Sequence, residues 1–150
     1  MKPLKEKISI TIDSDILEKL REYAENDDRS LSQYINLVLK KHLENIENEK
    51  IKGYIQVTKT SNEDNKYSEL EKGSPLPDVI FEVYDLEDNL VDTITTDKDG
   101  KAITKELLKG CYKIKEISSA KYYLLNENIF NAEIIKDQEI VNVDITNDNV

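Results

Sequence analysis

The 150-residue sequence predicts an α+β chain of two domains, in which one strand and two helices precede an all-β sandwich. Three observations carry this prediction. Isoleucines alternate with polar residues over residues 8–12, which is typical of a half-buried strand. Two stretches with apolar residues at helical spacing follow, and after Gly53 short alternating runs are separated by turn residues. We therefore expect a first domain at 1–48, a linker at 49–53 and a sandwich at 54–150.

The first domain carries two amphipathic helices. The first helix places Ile16, Leu17, Leu20, Tyr23 and Ala24 on one face, with Asp13 or Ser14 as its N-cap. The second starts after Ser30 or Ser32 and places Leu31, Ile35, Val38, Leu39, Leu43 and Ile46 on one face. So short a segment does not bury this surface alone, and the chain offers neither a disulfide nor metal-ligand spacing to help. We therefore expect the strand to pair with its own copy, antiparallel, in an obligate dimer.

The charge of the chain is concentrated in its second part. Residues 1–52 carry 10 basic and 11 acidic side chains, and residues 53–150 carry 11 and 20, which gives the total of −10. Such a chain is a poor bulk match for DNA or anionic membranes, so only a local basic face would bind nucleic acid. No apolar stretch approaches the roughly 20 residues of a membrane span, and the first residues lack a secretory pattern. We expect a cytoplasmic protein, with its one cysteine, Cys111, as a buried structural thiol.

Residues 5–46, with "RSLSQYI" opening the second helix, resemble the ribbon-helix-helix family of the Arc, MetJ and CopG type. The resemblance implies a homodimer that binds the major groove of double-stranded DNA, and it leaves open whether two dimers join on DNA. It gives base contacts to the outward strand residues Lys7, Ser9 and Thr11, and phosphate contacts to Lys5, Arg29, Ser30 and Ser32. Asp27 and Asp28 depart from the family pattern and weaken attraction to phosphate.

The second part contains "SPLPDVIFEVYD", "DKDGK" and "LLKGCYKIKEIS" in that order. This order resembles the collagen-adhesin B-type or SpaA-like domain, a transthyretin-like sandwich of Gram-positive surface proteins. The resemblance runs over about residues 53–147. One departure is "EISSAKYY", which stands where the family usually has E-T-x-A-P-x-G-Y.

Many domains of that family form an internal isopeptide bond between a lysine and an Asn or Asp, helped by a buried acid. The resemblance puts Lys59 at the lysine position, Glu116 at the acid position and Asn147 at the acceptor position. Alternation along the strands places all three on apolar faces. Asp144 is the alternative acceptor if a bulge shifts the register of the last strand. An unreacted hydrogen-bonded cluster of the lysine, the acid and the amide is the alternative to the bond.

No Ser/His/Asp set, metal-ligand spacing or phosphate-binding glycine loop occurs, so we expect no enzyme, no metal and no cofactor. The main functional prediction is a homodimeric, repressor-like DNA-binding regulator of the plasmid or mobile-element type, whose acidic sandwich senses a signal or binds a protein partner. The alternative is an interaction or structural protein, in which the helical part only dimerises two surface-protein-like β-domains. A surface adhesin fragment is the third hypothesis.

Overall fold

The computed structural model describes residues 4–150, so the first three residues of the predicted domain 1–48 lie outside the described part. The chain divides into two compact units, Met1–Ile46 and Glu47–Val150. Helix α1 spans Ser14–Asn26 and helix α2 spans Leu31–Glu49. Ser30 caps α2, because the backbone N–H of Gln33 donates to Ser30 Oγ (3.3 Å). In return, the backbone N–H of Ser30 donates to Gln33 Oε1 (3.1 Å). No helix within residues 4–150 is long and apolar enough to cross a bilayer.

Residues 4–13 form no strand, which contradicts the strand predicted over residues 8–12 for this single chain. Ile8 and Ile10 are 77% and 61% exposed. A strand needs a neighbour to satisfy its backbone N–H and C=O groups, and none of the other described residues pairs with this segment. The apolar faces of the helices are only partly covered, because Leu17, Leu20 and Ile35 are half-buried while Ile16, Leu39 and Leu43 are exposed. Ala24 is the one buried residue among the described residues of this unit.

The second unit is a sandwich of two four-stranded sheets. Its strands are β1 (Lys52–Ser61), β2 (Ile80–Tyr84), β3 (Leu90–Thr95), β4 (Lys101–Ile103), β5 (Leu107–Leu108), β6 (Gly110–Ser118), β7 (Ile129–Ile134) and β8 (Ile140–Asn147). In one sheet β1 pairs with β8 in parallel and with β4 and β5 antiparallel, and the other sheet has the order β3-β2-β6-β7. The predicted all-β sandwich is therefore confirmed.

Alternation along the strands builds the core between the sheets. Every second residue of β1 is buried, and the same alternation buries Tyr112, Ile114 and Glu116 on β6. Cys111 has the opposite parity and is exposed, so the prediction of a buried thiol is wrong. The core also contains Phe81 of β2 and Ile145 of β8.

The turn before β4 fixes β1 at Lys59. The Lys59 amide donates to the Gly100 carbonyl (2.7 Å), and the Lys59 carbonyl accepts from the Leu76 amide (2.9 Å). Gly100 has a φ of +69°, and a Cβ there would lie 2.4 Å from the Lys59 carbonyl oxygen. Glycine is therefore required at this position, both for its conformation and for the close approach of the two backbones.

Candidate functional site

Three polar side chains meet in the centre of the sandwich. Lys59 and Glu116 are 0% exposed and Asn147 is 2% exposed. Lys59 and Asn147 lie on the adjacent parallel strands β1 and β8, where Lys59 pairs with Ile145, two residues before Asn147 on the same face. Glu116 comes from β6 of the opposite sheet. The packing of the two sheets therefore brings an amine, a carboxyl group and an amide together away from water.

The three groups contact one another in a closed triangle. Lys59 Nζ lies 2.5 Å from Asn147 Oδ1 and 2.8 Å from Glu116 Oε2. Asn147 Nδ2 donates to the other carboxyl oxygen, Glu116 Oε1, at 2.7 Å. Glu116 Oε2 has no aligned hydrogen bond, so its contact with Nζ is an ion pair rather than a directed bond. One carboxyl group thus faces the amine with one oxygen and the amide nitrogen with the other.

The surroundings make the amine of Lys59 easy to deprotonate. Its Nζ lies 5.8 Å from the centre of the Phe81 ring, and the core residues around it are apolar. Burial lowers the pKa of Lys59 below its ordinary value, and the nearby Glu116 carboxylate only partly opposes this shift. A buried ion pair carries a large desolvation cost, so a neutral amine beside a neutral acid is accessible here. The neutral amine is the nucleophilic form of lysine.

The alternative acceptor does not enter the cluster. Asp144 is exposed and pairs with Thr58, on the face of the sheet opposite to Lys59. The bulge that the alternative required is missing, because the register of β1 and β8 runs unbroken from Tyr54 to Ser61. Of the two candidate acceptors on β8, Asn147 is therefore the one that contacts the amine of Lys59.

A fourth residue, which the sequence reasoning did not name, contacts the amide. Asn147 Nδ2 donates to Ser119 Oγ at 2.8 Å, in addition to its bond to Glu116. Ser119 directly follows β6 and belongs to "EISSAKYY", the segment that departs from the family pattern. Tyr122 of the same segment has a φ of +72° and stands where the family pattern E-T-x-A-P-x-G-Y has glycine. That departure was the signal in the sequence for an unusual local geometry.

The residues predicted to bind DNA do not form a common reading surface. Lys5, Lys7, Ser9 and Thr11 are exposed on the irregular segment 4–13 rather than on one face of a strand. Arg29 Nε lies 2.6 Å from Asp27 Oδ2, so an acid already pairs with its charge. Ser30 Oγ is occupied by capping α2, and Ser32 is exposed on the first turn of that helix.

The proteins similar to this chain include a surface protein and a pilin. The chain is 44% identical over 57 residues to the trypsin-resistant surface T6 protein of Streptococcus pyogenes serotype M6, which is 38% of this chain and 11% of that protein. The solved Bacillus anthracis TIE protein is similar to 67% of this chain and 18% of its own, with 28% identity and a TM-score of 0.56. The minor pilin of Streptococcus agalactiae matches 67% of this chain and 45% of its own, with 22% identity and a TM-score of 0.56, which shows a common fold.

These relatives overturn the main functional prediction. The predictions of a transcriptional regulator, of double-stranded DNA as partner and of a cytoplasmic location are wrong, because the curated relative is a bacterial surface protein. Two local features also argue against DNA binding, namely the absence of a strand at residues 4–13 and the pairing of Arg29 with Asp27. The ribbon-helix-helix resemblance receives no support from the relatives.

The sandwich itself has a clear assignment. Residues 53–149 match the family described as the SpaA prealbumin-like fold domain, and this match covers more than half of the chain. The match covers β1 to β8 apart from Lys52, and it includes the three residues of the buried cluster as well as Ser119. The chain belongs to the SpaA family of prealbumin-like fold domains.

Proposed function

We propose that the chain is a structural or interaction protein of the bacterial cell surface, whose sandwich is locked by an isopeptide bond between Lys59 and Asn147. The observation that carries the proposal is the buried contact of Lys59 Nζ with both the Asn147 amide and the Glu116 carboxyl group. The relatives support the surface role, since one is a surface protein and another is a pilin. Because this chain spans less than half of each, the partners of the whole relatives are not transferred to it.

The proposed reaction replaces the Cγ–Nδ2 bond of Asn147 by a Cγ–Nζ bond. Glu116 first takes one proton from the ammonium group of Lys59, and the free amine attacks Cγ of Asn147. Glu116 then gives its proton to Nδ2, and Nδ2 leaves as ammonia with the electron pair of the Cγ–Nδ2 bond. Finally, Glu116 takes the second proton from Nζ. The products are a neutral amide, ammonia and a neutral Glu116. Both buried charges disappear, which removes the desolvation cost of the ion pair.

The geometry of Glu116 supports this role. Its Oε2 lies 2.8 Å from the nucleophile, and its Oε1 accepts a hydrogen bond of 2.7 Å from the leaving group. A general acid–base must reach both atoms between which it moves protons. One carboxyl group with an oxygen at each end meets that requirement without any rearrangement of the strands.

The helical unit has a separate proposed role, which is to pair two copies of the chain. Part of its apolar surface is exposed in the single chain, with Leu43 59% and Leu39 50% exposed. Segments this short gain stability mainly by burying such faces against a partner. In the paired state residues 5–12 would form a two-stranded antiparallel ribbon with their copy, as in the ribbon-helix-helix arrangement. The dimer would then present two sandwiches.

The intact mass of the purified chain tests the bond. We expect the mass to be lower than that of the sequence by one ammonia, and a cross-linked peptide containing residues 59 and 147 after digestion. Lys59→Met and Asn147→Ala should each have the full mass of their sequence. Lys115→Met is the matched control, because Lys115 lies exposed on β6, and it should lose ammonia like the parent.

A parent chain that keeps its full mass after prolonged incubation would refute the bond. The three residues would then form an unreacted hydrogen-bonded cluster of amine, acid and amide. Glu116→Gln separates the roles within the cluster, since it keeps the hydrogen bond from the amide but removes the proton carrier. We expect this variant to remain unreacted although Lys59 and Asn147 are both present.

A further inference from the structure

We propose that Ser119 is a positioning residue for the bond-forming reaction, which holds the Asn147 amide with its carbonyl group towards Lys59 and its NH2 group towards Glu116. This inference rests on the proposed isopeptide bond and adds a residue to it. Ser119 contacts the leaving nitrogen but supplies no proton to it, so its role is orientation.

The orientation of the amide decides whether the reaction starts. A side-chain amide has two ends of nearly equal shape, and half a turn about its terminal bond exchanges them. In the turned state the NH2 group would face the amine of Lys59, and the carbonyl oxygen would face the carboxyl group of Glu116. The leaving nitrogen would then be far from its proton donor. The site therefore needs a feature that distinguishes the two ends of Asn147.

Glu116 alone distinguishes the ends only while it is ionised. A carboxylate accepts hydrogen bonds, whereas a protonated carboxyl group also donates one and can bind either end of an amide. In the proposed reaction Glu116 becomes protonated before the amine attacks. A second acceptor that keeps its character through this step would hold the amide in place.

Ser119 has this property because its proton is committed elsewhere. Ser119 Oγ donates to the carbonyl oxygen of Leu124 at 3.2 Å. A hydroxyl group has one proton, so the lone pairs of Oγ face Asn147 Nδ2, which donates to it at 2.8 Å. The Leu124 carbonyl thus makes Ser119 an acceptor whatever the protonation state of Glu116.

The backbone fixes this acceptor relative to the end of β8. The Leu124 amide donates to the Asp148 carbonyl at 2.9 Å, and Tyr123 forms a β-bridge with Asn149. The loop that contains the partner of Ser119 is therefore attached to the residues just after Asn147. Ser119 is half-buried, and these main-chain contacts hold the Leu124 carbonyl, its hydrogen-bond acceptor, next to the end of β8.

The rate of ammonia loss in freshly synthesised chain tests the proposal. We expect Ser119→Ala to slow the loss about tenfold, which is the effect of one net hydrogen bond. Ser119→Thr keeps the hydroxyl group and should react within about twofold of the parent rate. Ser118→Ala is the matched control, since Ser118 is the neighbouring serine of the same chain segment, and it should react at the parent rate.

A second measurement reads the orientation directly in a chain that cannot react. In Lys59→Met, nuclear Overhauser contacts from the NH2 protons of Asn147 should be strong to the side chain of Ser119 and weaker to position 59. Adding Ser119→Ala should strengthen the contacts to position 59, because both orientations become populated.

The outcomes separate the two proposals. A parent that loses no ammonia refutes the bond, and the contacts of the Asn147 amide still decide the role of Ser119. A parent that reacts while Ser119→Ala reacts equally fast refutes the positioning role and leaves the bond standing. NH2 contacts to position 59 that are as strong in Lys59→Met as in the double variant with Ser119→Ala would also refute it.

Discussion

Both units of this chain have apolar residues at regular spacing, but these residues are buried in the sandwich and largely exposed in the helical unit. In the sandwich, alternate residues of β1 are buried against the facing sheet, with Ile55 and Val57 at 0% exposure. In the helical unit, residues at helical spacing such as Ile16 and Leu39 are 47% and 50% exposed. The sandwich completes its core within one chain, whereas the helical unit does not.

The difference follows from the elements available in each unit. Eight strands form two sheets whose inner faces cover each other, and β8 returns to pair with β1 at the start of the unit. Within the described residues, the two helices and the irregular segment 4–13 have no such second layer. The hydrophobic effect favours covering the exposed apolar residues, and the second copy proposed above would supply the missing layer. A pattern of apolar residues therefore predicts a buried face, while the number of elements determines whether burial takes one chain or two.

The largest expected effect is on the sandwich alone. Lys59→Met removes the proposed cross-link between residues 88 positions apart, and by the chain-entropy model of a closed loop this should cost about 4 to 5 kcal/mol of unfolding free energy. Hydrogen exchange followed by mass spectrometry should show faster exchange over residues 53–149 and no change over residues 14–46. Lys115→Met should match the parent in both regions. Equal exchange of Lys59→Met and parent would show that no covalent link stabilises the sandwich.

A smaller effect is expected at the turn that fixes Lys59. Gly100→Ala forces a Cβ to within 2.4 Å of the Lys59 carbonyl oxygen at a φ of +69°, and should cost about 3 kcal/mol. Gly73→Ala is the matched control, since Gly73 has a φ of +83° but no atom within 4 Å of the added Cβ. We expect it to cost about 1 kcal/mol in chemical denaturation. Equal costs at the two glycines would mean that the close approach at Lys59 is unimportant.

The smallest expected effect concerns the helical unit and its proposed partner. Leu39→Asp places a charge on the exposed apolar face and should weaken dimerisation about a hundredfold, or about 2 to 3 kcal/mol. Lys40→Asp introduces the same residue at the next position and should leave the dimer largely intact. Sedimentation equilibrium measures both. A parent chain that is monomeric at micromolar concentration, with both helices folded, would break the comparison between the two units.

Much of the sandwich was predictable because strands have a strict period of two. The strand runs and turn residues after Gly53 predicted the all-β unit, and parity placed Lys59 on the face of Ile55 and Val57. The same counting put Asn147 on the face of Ile145, and both are buried in the structure. The bond between the two residues stays a prediction, because proximity does not show that the reaction has occurred.

The errors have distinct physical causes. Cys111 was predicted to be buried from its strand context, although its parity is opposite to that of Tyr112 and Ile114. Ser119 was missed because it lies beyond β6, where periodicity no longer determines direction, and its contact depends on the fold of a loop. The regulator prediction relied on a polar pattern at Lys7, Ser9 and Thr11, and solvent-exposed segments in many kinds of protein show such patterns.

The parallel pairing of β1 and β8 has a mechanical consequence. Tension applied to the sandwich through the segment before Lys52 and the segment after Asn147 pulls these two strands along each other in opposite directions. The eight register pairs from Tyr54–Ile140 to Ser61–Asn147 then bear the load together rather than opening one by one. With the proposed Lys59–Asn147 bond in place, the force would pass from one strand to the other through that amide. Residues 60–146 would remain slack, and the fold would resist stretching up to the rupture of a covalent bond.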